Sequence, residues 1–504
     1  MAHARLNSRE KLFQSHEILP LVGVLVLALA VRLIKISQPY VDDWSYKQGT
    51  IAMIAENFYR NGFNIFYPQI NWAGSSAGYI GTEFPLVPFL ASLLYVPFGV
   101  QEWIGRSVSV VFFSVSLPFL YVLVKKISNQ RSAAFAAAIY ALAPLSIFAS
   151  RSFTSDTTSL SFSIVALYLF SRWLERASSV VLLLAASLTT ALAILVKVPA
   201  AIISLPLFYM AWEEYGVRLV FKPKLWVFAG LSLMFPAAWY LHAYSITLSY
   251  PPYQFAGSDG LALADLPVYT LIVQRLVASS LTPLVAAGML VGLFLPTPAK
   301  HGRIFHWWLI AICLFIVVAG HGNRHPWYQL PVVPVAAAFA GRAFDLALRR
   351  LGALTGAKIA ESFVGVILLA ALALVSYTYV RPLYDPWAKS FWKAGRVIDR
   401  LAPPDALAVY AVSGDSSGIY YGRRKGWHAF DDSDWGEPLD SEQAIIQLER
   451  LKELGARFLV FTQYTAWWLE YYTDFQEYLD SRHRRVSDTH NYVIFDLTST
   501  SLGN

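Results

Sequence analysis

The sequence has a single cysteine, Cys313, and few charged residues. One cysteine excludes a disulfide within the chain and a metal site built from several thiolates. Charged residues make up only 14% of the 504 residues, whereas a soluble domain carries about 25%. Hydrophobic residues make up 56% and form long charge-free runs such as Leu19–Val31 and Val180–Val196. This composition predicts a polytopic membrane protein rather than a soluble globular one.

The excess of basic residues, a formal net charge of +7, does not predict nucleic-acid binding. In a membrane protein the Lys and Arg residues between spans mostly report topology. The chain begins with a basic stretch ahead of its first apolar run, and that run has no small-residue cleavage site of the kind that ends a signal peptide. We therefore expect an uncleaved first span.

A transmembrane helix needs about 17–25 mostly apolar residues. Eleven apolar segments approach or meet that length, and we predict them as spans: 18–36, 103–124, 131–149, 159–174, 180–196, 199–213, 225–244, 277–296, 304–319, 327–346 and 361–380. A further apolar stretch, residues 84–99, is short and is interrupted by Pro85, Pro88 and Pro97.

The distribution of Lys and Arg decides how residues 84–99 are placed. With eleven spans and a cytoplasmic N-terminus, most basic residues of the loops fall on the cytoplasmic side, as the positive-inside rule requires. Counting 84–99 as a full span would move most of the basic clusters outside. We therefore predict a transmembrane domain over residues 1–380, in which 37–102 is the first outer loop and 84–99 is a re-entrant or juxtamembrane segment.

The composition changes after residue 380, and we predict a small soluble α/β domain over 381–504 on the outer side. Residues 407–413, 457–462 and 491–497 have the pattern of strands. A helix is predicted from about Ser441 to Leu454, because Asp440 and Gln443 have the spacing of a capping box and Gly455 follows.

The first outer loop opens with two adjacent acids, Asp42 and Asp43, just beyond the first span. Desolvation and mutual repulsion are expected to raise at least one pKa of such a pair. That predicts a general base for a hydroxyl acceptor. The alternative is a solvated pair that only caps the following helix.

Other ionisable residues fall on the same predicted side. Glu83 stands at the mouth of segment 84–99, where it is expected to bind a sugar hydroxyl, to bind a cation, or to pair with a base such as Arg106. Asp156 and Lys197 lie in very short outer connections. We predict these three as substrate-binding residues.

The loop 321–328 adds four more candidates for substrate binding: His321, Arg324, His325 and Tyr328. For each residue alone, a role as an interfacial anchor explains its position as well as substrate binding does. Together, however, these residues place basic groups where a lipid-linked phosphate would lie. Arg in particular can form a bidentate pair with a phosphate. Two nearby His residues also suggest zinc, although no further His or Cys spacing completes such a site.

Several of these features occur in a known order. Val31-Arg32-Leu33 ends the first span, Asp42-Asp43 follows, and then come Gly62 and Glu83-Phe84-Pro85; later, Trp327–Pro334 contains a Tyr-x-Leu-Pro-x-x-Pro run. This order over residues 18–346 resembles the protein O-mannosyltransferase / lipid A aminoarabinose transferase (ArnT-like) branch of the GT-C glycosyltransferases. The resemblance implies a GT-C fold and an inverting transfer from a sugar carried on a polyprenyl phosphate.

The resemblance also implies roles for single residues. The family's acidic pair corresponds to Asp42-Asp43, with Asp42 the favoured base, and Asp156 corresponds to a recurrent acid. The family's Glu-Lys-Pro pattern has Phe84 in place of its Lys, so Lys197, Arg324 or a His of the 321–328 loop would take over the lipid phosphate. The oligosaccharyltransferase signature Trp-Trp-Asp-Tyr-Gly is not matched by Trp467-Trp468-Leu469-Glu470.

The expected location is the inner or plasma membrane, with the N-terminus cytoplasmic and the C-terminal domain extracytoplasmic. Expected partners are the polyprenyl-phosphate sugar, membrane lipids, and a glycolipid, glycan or protein acceptor. We expect either no cofactor or a divalent cation (Mg²⁺ or Mn²⁺) bound at the adjacent carboxylates. Two alternatives stay open: a flippase or transporter of lipid-linked sugars, and a polymerase or ligase of surface glycans.

Overall fold

The structure is a computed structural model that describes residues 15–256, 262–355, 358–411, 415–429 and 437–498. The basic stretch at residues 1–14 and the end of the predicted strand 407–413 therefore lie outside the described residues. Helices make up most of the chain up to residue 380, and one short parallel pair of strands joins Gly81–Thr82 (β1) to Phe255–Ala256 (β2).

The helices of this part are, in chain order, α1 (Ser15–Leu33), α2 (Ser45–Asn61), α3 (Leu86–Phe98), α4 (Glu102–Ile127), α5 (Gln130–Leu142), α6 (Pro144–Arg151), α7 (Ser155–Glu175), α8 (Val180–Val196), α9 (Ser204–Tyr215), α10 (Pro223–Ser249), α11 (Leu266–Arg275), α12 (Pro283–Leu293), α13 (Ile304–Val318), α14 (Val332–Thr355) and α15 (Lys358–Val380).

Every predicted span overlaps one or two of these helices, although some bounds differ: the spans 199–213 and 327–346 begin before α9 and α14. The number of eleven spans stays a prediction. Three described helical stretches are long and apolar enough to cross a membrane unaided: Glu102–Ile127, Pro223–Ser249, and Phe363–Leu401, in which α15 and α16 follow each other with a short break at residues 385–388. Two bent pairs raise the number to five if each is one span: α5 with α6, bent by 59°, and Leu266–Leu281 with α12, bent by 104°. The 13 residues of α3 span only about 20 Å at 1.5 Å per residue, so α3 is too short to cross.

Small residues allow the apolar helices to pack closely. Gly341 of α14 lies so near α5 that an added Cβ would meet the Ser132 carbonyl oxygen at 2.6 Å. Gly292 of α12 lies even closer to α14, because an added Cβ would overlap the Phe339 carbonyl oxygen. Such contacts are typical of membrane helices, where close van der Waals packing substitutes for a hydrophobic driving force.

The remainder of the chain forms a five-stranded sheet with helices. Its elements are α16 (Lys389–Leu401), β3 (Leu407–Ala411), α17 (Ser417–Gly422), β4 (Gly426–His428), α18 (Ser441–Glu453), β5 (Ala456–Thr462), α19 (Trp467–Tyr471), α20 (Thr473–Arg482), β6 (Arg484–Thr489) and β7 (Tyr492–Asp496). The strand order is β4-β3-β5-β7-β6, with β4, β3 and β5 parallel and β7 antiparallel to both of its neighbours.

The predicted helix from Ser441 is present, and its capping follows the predicted chemistry. The Asp440 carboxylate accepts a hydrogen bond from the Gln443 amide at 2.8 Å, and the Gln443 side chain accepts one from the Leu439 amide. Gly455 after the helix has φ +97°, a left-handed conformation that glycine adopts without steric cost. The sequence signals at both ends of α18 are therefore confirmed.

The C-terminal sheet and the first loop share one hydrophobic core. Buried side chains from α2, α3, α16, α17 and β7 pack in a single cluster that includes Phe58, Tyr95, Phe391, Tyr420 and Ile494. The two parts are also joined through the backbone, since the Ala388 amide donates to the Val41 carbonyl at 3.1 Å. The C-terminal region is therefore packed directly against the segment that carries the predicted acids. A domain boundary at 380/381 stays a prediction.

Candidate active site

A cavity of about 840 Å³ opens where the first loop, the helix bundle and the C-terminal region meet. We call it the central cavity. Its polar lining residues are Asp43, Tyr46, Lys47, Thr50, Thr82, Glu83, Ser155, Lys197, Gln254, Arg275, Ser279, His325, Tyr328 and Asp415. Much of its apolar wall consists of Ile51, Ile54, Ile80, Pro85 and Pro88.

Asp42 is fully buried beneath this cavity rather than in its wall. Its Oδ2 atom lies 2.9 Å from the Arg151 guanidinium and 3.2 Å from that of Arg106, and both arginines are themselves fully buried. Its Oδ1 atom accepts a hydrogen bond from the Gln48 amide. The same two arginines donate to backbone carbonyls in residues 34–39. Asp42 thus fixes the path of the chain after α1.

Asp43 has the opposite environment, because its side chain is exposed and lines the central cavity. Its backbone amide donates to the Leu383 carbonyl at 3.2 Å, which holds it in place. Partial burial, followed by the neighbouring Asp42 carboxylate, raises the pKa of Asp43, and Arg275 opposes that rise. Of the two adjacent acids, only Asp43 is placed to meet a ligand.

Two lysines alternate with two carboxylates in another part of the site, where Lys47, Lys197 and Glu83 line the central cavity and Asp156 is buried behind them. Lys47 Nζ lies 2.6 Å from Asp156 Oδ2, Lys197 Nζ lies 3.0 Å from Asp156 Oδ1, and Lys197 Nζ lies 3.3 Å from Glu83 Oε1. We call Lys47 and Lys197 the lysine pair. The suggested partner of Glu83, Arg106, was wrong: Arg106 pairs with Asp42, because α4 directs its guanidinium beneath the loop.

Aromatic rings bound the lysine pair. The Lys47 ammonium lies 4.5 Å from the centroid of the Trp327 ring, and the Lys197 ammonium lies 4.9 Å from that of Tyr328. A cation over an aromatic face is stabilised by the ring quadrupole, more so where water is excluded. The rings therefore help to hold both ammonium groups at the cavity wall.

The loop 321–328 divides into two halves. His325 and Tyr328 line the central cavity, and the His325 ring stacks on Trp327 with centroids 4.4 Å apart. His321 and Arg324 are absent from the lining; they bond to each other instead, with Arg324 Nη1 2.8 Å from His321 Nε2. Of these four predicted substrate-binding residues, the structure therefore brings two to the cavity.

The carboxylates do not form a metal centre in the described part of the chain, where no three His, Cys, Asp or Glu side chains come close enough together to hold an ion. Asp42 and Asp43 point into different environments, and Asp156 and Glu83 are occupied by the lysine pair. The adjacent acids therefore do not fit the divalent cation suggested for them, and we assign no step to a metal.

Comparisons with known proteins agree with this architecture. Residues 82–242 match the family model of dolichyl-phosphate-mannose-protein mannosyltransferases. ArnT from Cupriavidus metallidurans in the apo state superposes with a TM-score of 0.64 at 15% identity, over 96% of this chain and 99% of that one. The chain has the GT-C fold. The predicted resemblance to the ArnT and protein mannosyltransferase branch is thereby confirmed.

Two further GT-C structures are similar. ArnT from the same organism bound to undecaprenyl phosphate has a TM-score of 0.61 at 15% identity, covering 96% of this chain and 99% of that chain. The archaeal oligosaccharyltransferase AglB from Archaeoglobus fulgidus, in complex with an inhibitory peptide and a dolichol-phosphate, has a TM-score of 0.60 at 13% identity, covering 95% and 74%. No curated protein matches this GT-C chain in sequence.

Sequence reasoning missed Lys47, Arg275 and Asp415. A signal for Lys47 was present, since Lys47, Ile51 and Ile54 follow the i, i+4, i+7 spacing of one helix face, and all three line the cavity. Arg275 ends α11 and Asp415 lies in a loop. Neither has a local pattern that would distinguish it from a solvated charge.

The different environments of Asp42 and Asp43 predict different effects on stability. Asp42→Ala leaves two buried arginines without their carboxylate, and breaking a buried ion pair costs about 3–5 kcal/mol. Asp43→Ala removes an exposed side chain and is expected to change the free energy of unfolding by less than about 0.5 kcal/mol. Thermal unfolding of the purified variants measures both. Equal unfolding midpoints would contradict the assigned positions.

Proposed function

We propose that this chain is an inverting glycosyltransferase that moves a sugar from a polyprenyl-phosphate donor to an acceptor hydroxyl or phosphate on the outer side of the membrane. The observation that carries the proposal is one cavity that holds both an accessible carboxylate, Asp43, and a pair of lysines. Solved relatives with undecaprenyl phosphate and with dolichol-phosphate support a lipid-linked donor.

Asp43 is the general base in this proposal. It removes the proton of the acceptor hydroxyl as that oxygen attacks the anomeric carbon from the face opposite the phosphate. The bond between the anomeric carbon and the phosphate oxygen breaks, and the polyprenyl phosphate departs with the electron pair. One displacement inverts the anomeric configuration. The raised pKa of Asp43 suits a base, because proton transfer is most efficient when the pKa of the base approaches the working pH.

Lys47 and Lys197 stabilise the departing phosphate. Fixed cations that face developing negative charge lower the barrier without having to reorganise during the reaction. Asp156 and Glu83 position the lysine pair before the donor arrives, through the contacts of 2.6–3.3 Å. This assignment gives Asp156 and Glu83 a positioning role rather than direct contact with the sugar.

Phe84 stands where the family's Glu-Lys-Pro pattern has its lysine. Its ring packs against Trp239 with centroids 5.0 Å apart, and it is absent from the cavity lining. The neighbouring Glu83 binds Lys197, which arrives from the end of α8. In this proposal Lys197, which contacts Glu83, supplies the cation in place of the lysine that follows the acid in the family pattern.

Sidedness follows from the charge distribution. The central cavity lies at the bundle end formed by residues 37–102, the end that the positive-inside rule assigns to the outer side. The proposal therefore places the N-terminus in the cytoplasm and the C-terminal region outside the inner or plasma membrane. The apolar wall of the central cavity, formed by isoleucines and prolines, suits a prenyl chain that enters from the bilayer.

Asp43→Asn is expected to abolish most of the transfer. Loss of a general base slows a reaction by about a hundredfold or more, while KM for the donor is expected to stay near the wild-type value because the lysine pair is intact. The assay measures transfer from a panel of polyprenyl-phosphate sugars by the purified protein. The matched control is Asp385→Asn, an exposed acid of the same region that does not line the cavity. Full activity of Asp43→Asn at normal expression would contradict the assignment of Asp43 as the general base.

The lysine pair predicts an alkaline limit. Burial lowers the pKa of Lys47 to about 8, although Asp156 opposes the shift. Lys47 is charged below its pKa, so kcat/KM for the donor is expected to fall as the pH rises above about 8. Lys47→Arg keeps the charge at any accessible pH and is expected to move that fall to higher pH.

The control for this pH profile is Lys35→Arg, since Lys35 is exposed and lies outside the central cavity. Its profile is expected to match the wild type. If Lys47→Arg instead showed the same alkaline fall as the wild-type protein, another group would be titrating, and Lys47 would not be the cation that the donor requires.

A further inference from the structure

The C-terminal region contributes a carboxylate of its own to the central cavity. Asp415 follows β3, is only 3% exposed, and lines the cavity together with Asp43. It belongs to the C-terminal region, whereas the lysine pair is held by Asp156 of α7 and by Glu83 before α3. Nothing in the proposed reaction uses Asp415.

Asp415 is held in a fixed orientation by its neighbours. Its Oδ2 atom accepts a hydrogen bond from the Ser45 hydroxyl at 2.7 Å, and its Oδ1 atom accepts one from the Ser417 amide at 2.8 Å and one from the Ser417 hydroxyl. A carboxylate has room for about four such bonds. One further donor can therefore bind from the cavity.

The effect of burial on Asp415 favours such a donor. Burial raises the pKa of the Asp415 carboxyl, against the hydrogen bonds from Ser417 and Ser45. An additional hydroxyl that donates to the carboxylate would offset part of its lost hydration. A ligand with a suitably placed hydroxyl is therefore stabilised at this position.

One tryptophan of the C-terminal region, and another that stacks on that region, also line the cavity. Trp387 lines it, is 38% exposed, and is anchored by its indole N–H, which donates to the Asp42 carbonyl at 2.8 Å. Trp72 also lines the cavity, and its ring is stacked at 5.2 Å on His428 of β4. Flat aromatic surfaces beside hydroxyl acceptors suit a sugar ring, which presents an apolar C–H face and a rim of hydroxyl donors.

We propose that the part of the cavity wall contributed by the C-terminal region is the acceptor subsite, and that it binds a neutral sugar ring whose second hydroxyl donates to Asp415 while Trp387 packs against its C–H face. The proposal rests on the proposed function, in which Asp43 takes the reacting hydroxyl. A Ser or Thr side chain offers one hydroxyl and would leave Asp415 without a ligand. A phosphorylated acceptor would be repelled by two carboxylates, since like charges disfavour each other at short range.

The test measures binding rather than transfer, so that its outcome does not depend on the donor. Neutral methyl glycosides, sugar phosphates and a Ser/Thr peptide are titrated onto the detergent-solubilised full chain, and Kd is measured by calorimetry. We expect a methyl glycoside to bind the wild type, and Asp415→Asn to raise its Kd by at least about tenfold, the usual effect of losing a hydrogen bond to a charged group.

Two matched variants separate binding from positioning. Ser45→Ala breaks the 2.7 Å bond that orients Asp415 but leaves the carboxylate in the cavity, so the Kd is expected to rise by less than it does in Asp415→Asn. Asp405→Asn alters an exposed acid of the same region outside the cavity and is expected to have no effect. If Asp415→Asn does not fold, Trp387→Leu is expected to weaken glycoside binding in its place.

Two results with the variants would overturn the acceptor subsite: an unchanged Kd in both Asp415→Asn and Trp387→Leu, or an increase in Kd for Ser45→Ala as large as that for Asp415→Asn. Two results with the wild type would also overturn it: tighter binding of the peptide or the sugar phosphate than of every glycoside, or no glycoside binding at all. Failure of the transferase proposal gives a different pattern: glycosides bind as expected, but the wild type transfers no sugar from any polyprenyl phosphate.

Discussion

The site depends on one buried ion cluster, in which the Asp42 carboxylate lies between the Arg106 and Arg151 guanidinium groups at 3.2 and 2.9 Å. Three charges without solvent are costly unless their hydrogen-bonding capacity is used. The arginines use it by also binding the carbonyl groups of residues 34–39. The loop after α1 is thereby tied to α4 and α6, and this fixed path is what presents Asp43 to the cavity.

A second network of ion pairs holds two lysines in position to bind an anion in the central cavity. Lys47, Asp156, Lys197 and Glu83 form a chain of ion pairs in which positive and negative groups alternate. The two positive and two negative charges cancel, so this network has no net charge before a ligand binds. A phosphate would draw on ammonium groups that are already oriented. Such preorganisation is a large source of electrostatic stabilisation in enzymes. The central cavity thus has the lysine pair in one part of its wall, and the carboxylates of Asp43 and Asp415 in other parts.

Much of the fold was predictable, because apolar run length and capping chemistry are local properties. The eleven apolar runs and the Asp440–Gln443 cap each depend on residues close in sequence. Which of two adjacent acids faces a ligand is not local. The favoured base by resemblance was Asp42, yet its side chain is captured by arginines 64 and 109 residues away. The pairing of Lys47 with Asp156, also 109 residues apart, and the arrival of Asp415 likewise depend on tertiary packing.

The most direct test of the proposed mechanism is an experimental structure of the protein with a bound polyprenyl phosphate. We expect the phosphate to contact Lys47 and Lys197 inside the central cavity and the prenyl chain to follow Ile51, Ile54 and Pro88. Asp43 is expected to face the place of the anomeric carbon on the side away from the phosphate. A phosphate bound at His321 and Arg324 instead, or on the Asp43 side of the cavity, would contradict the proposed mechanism.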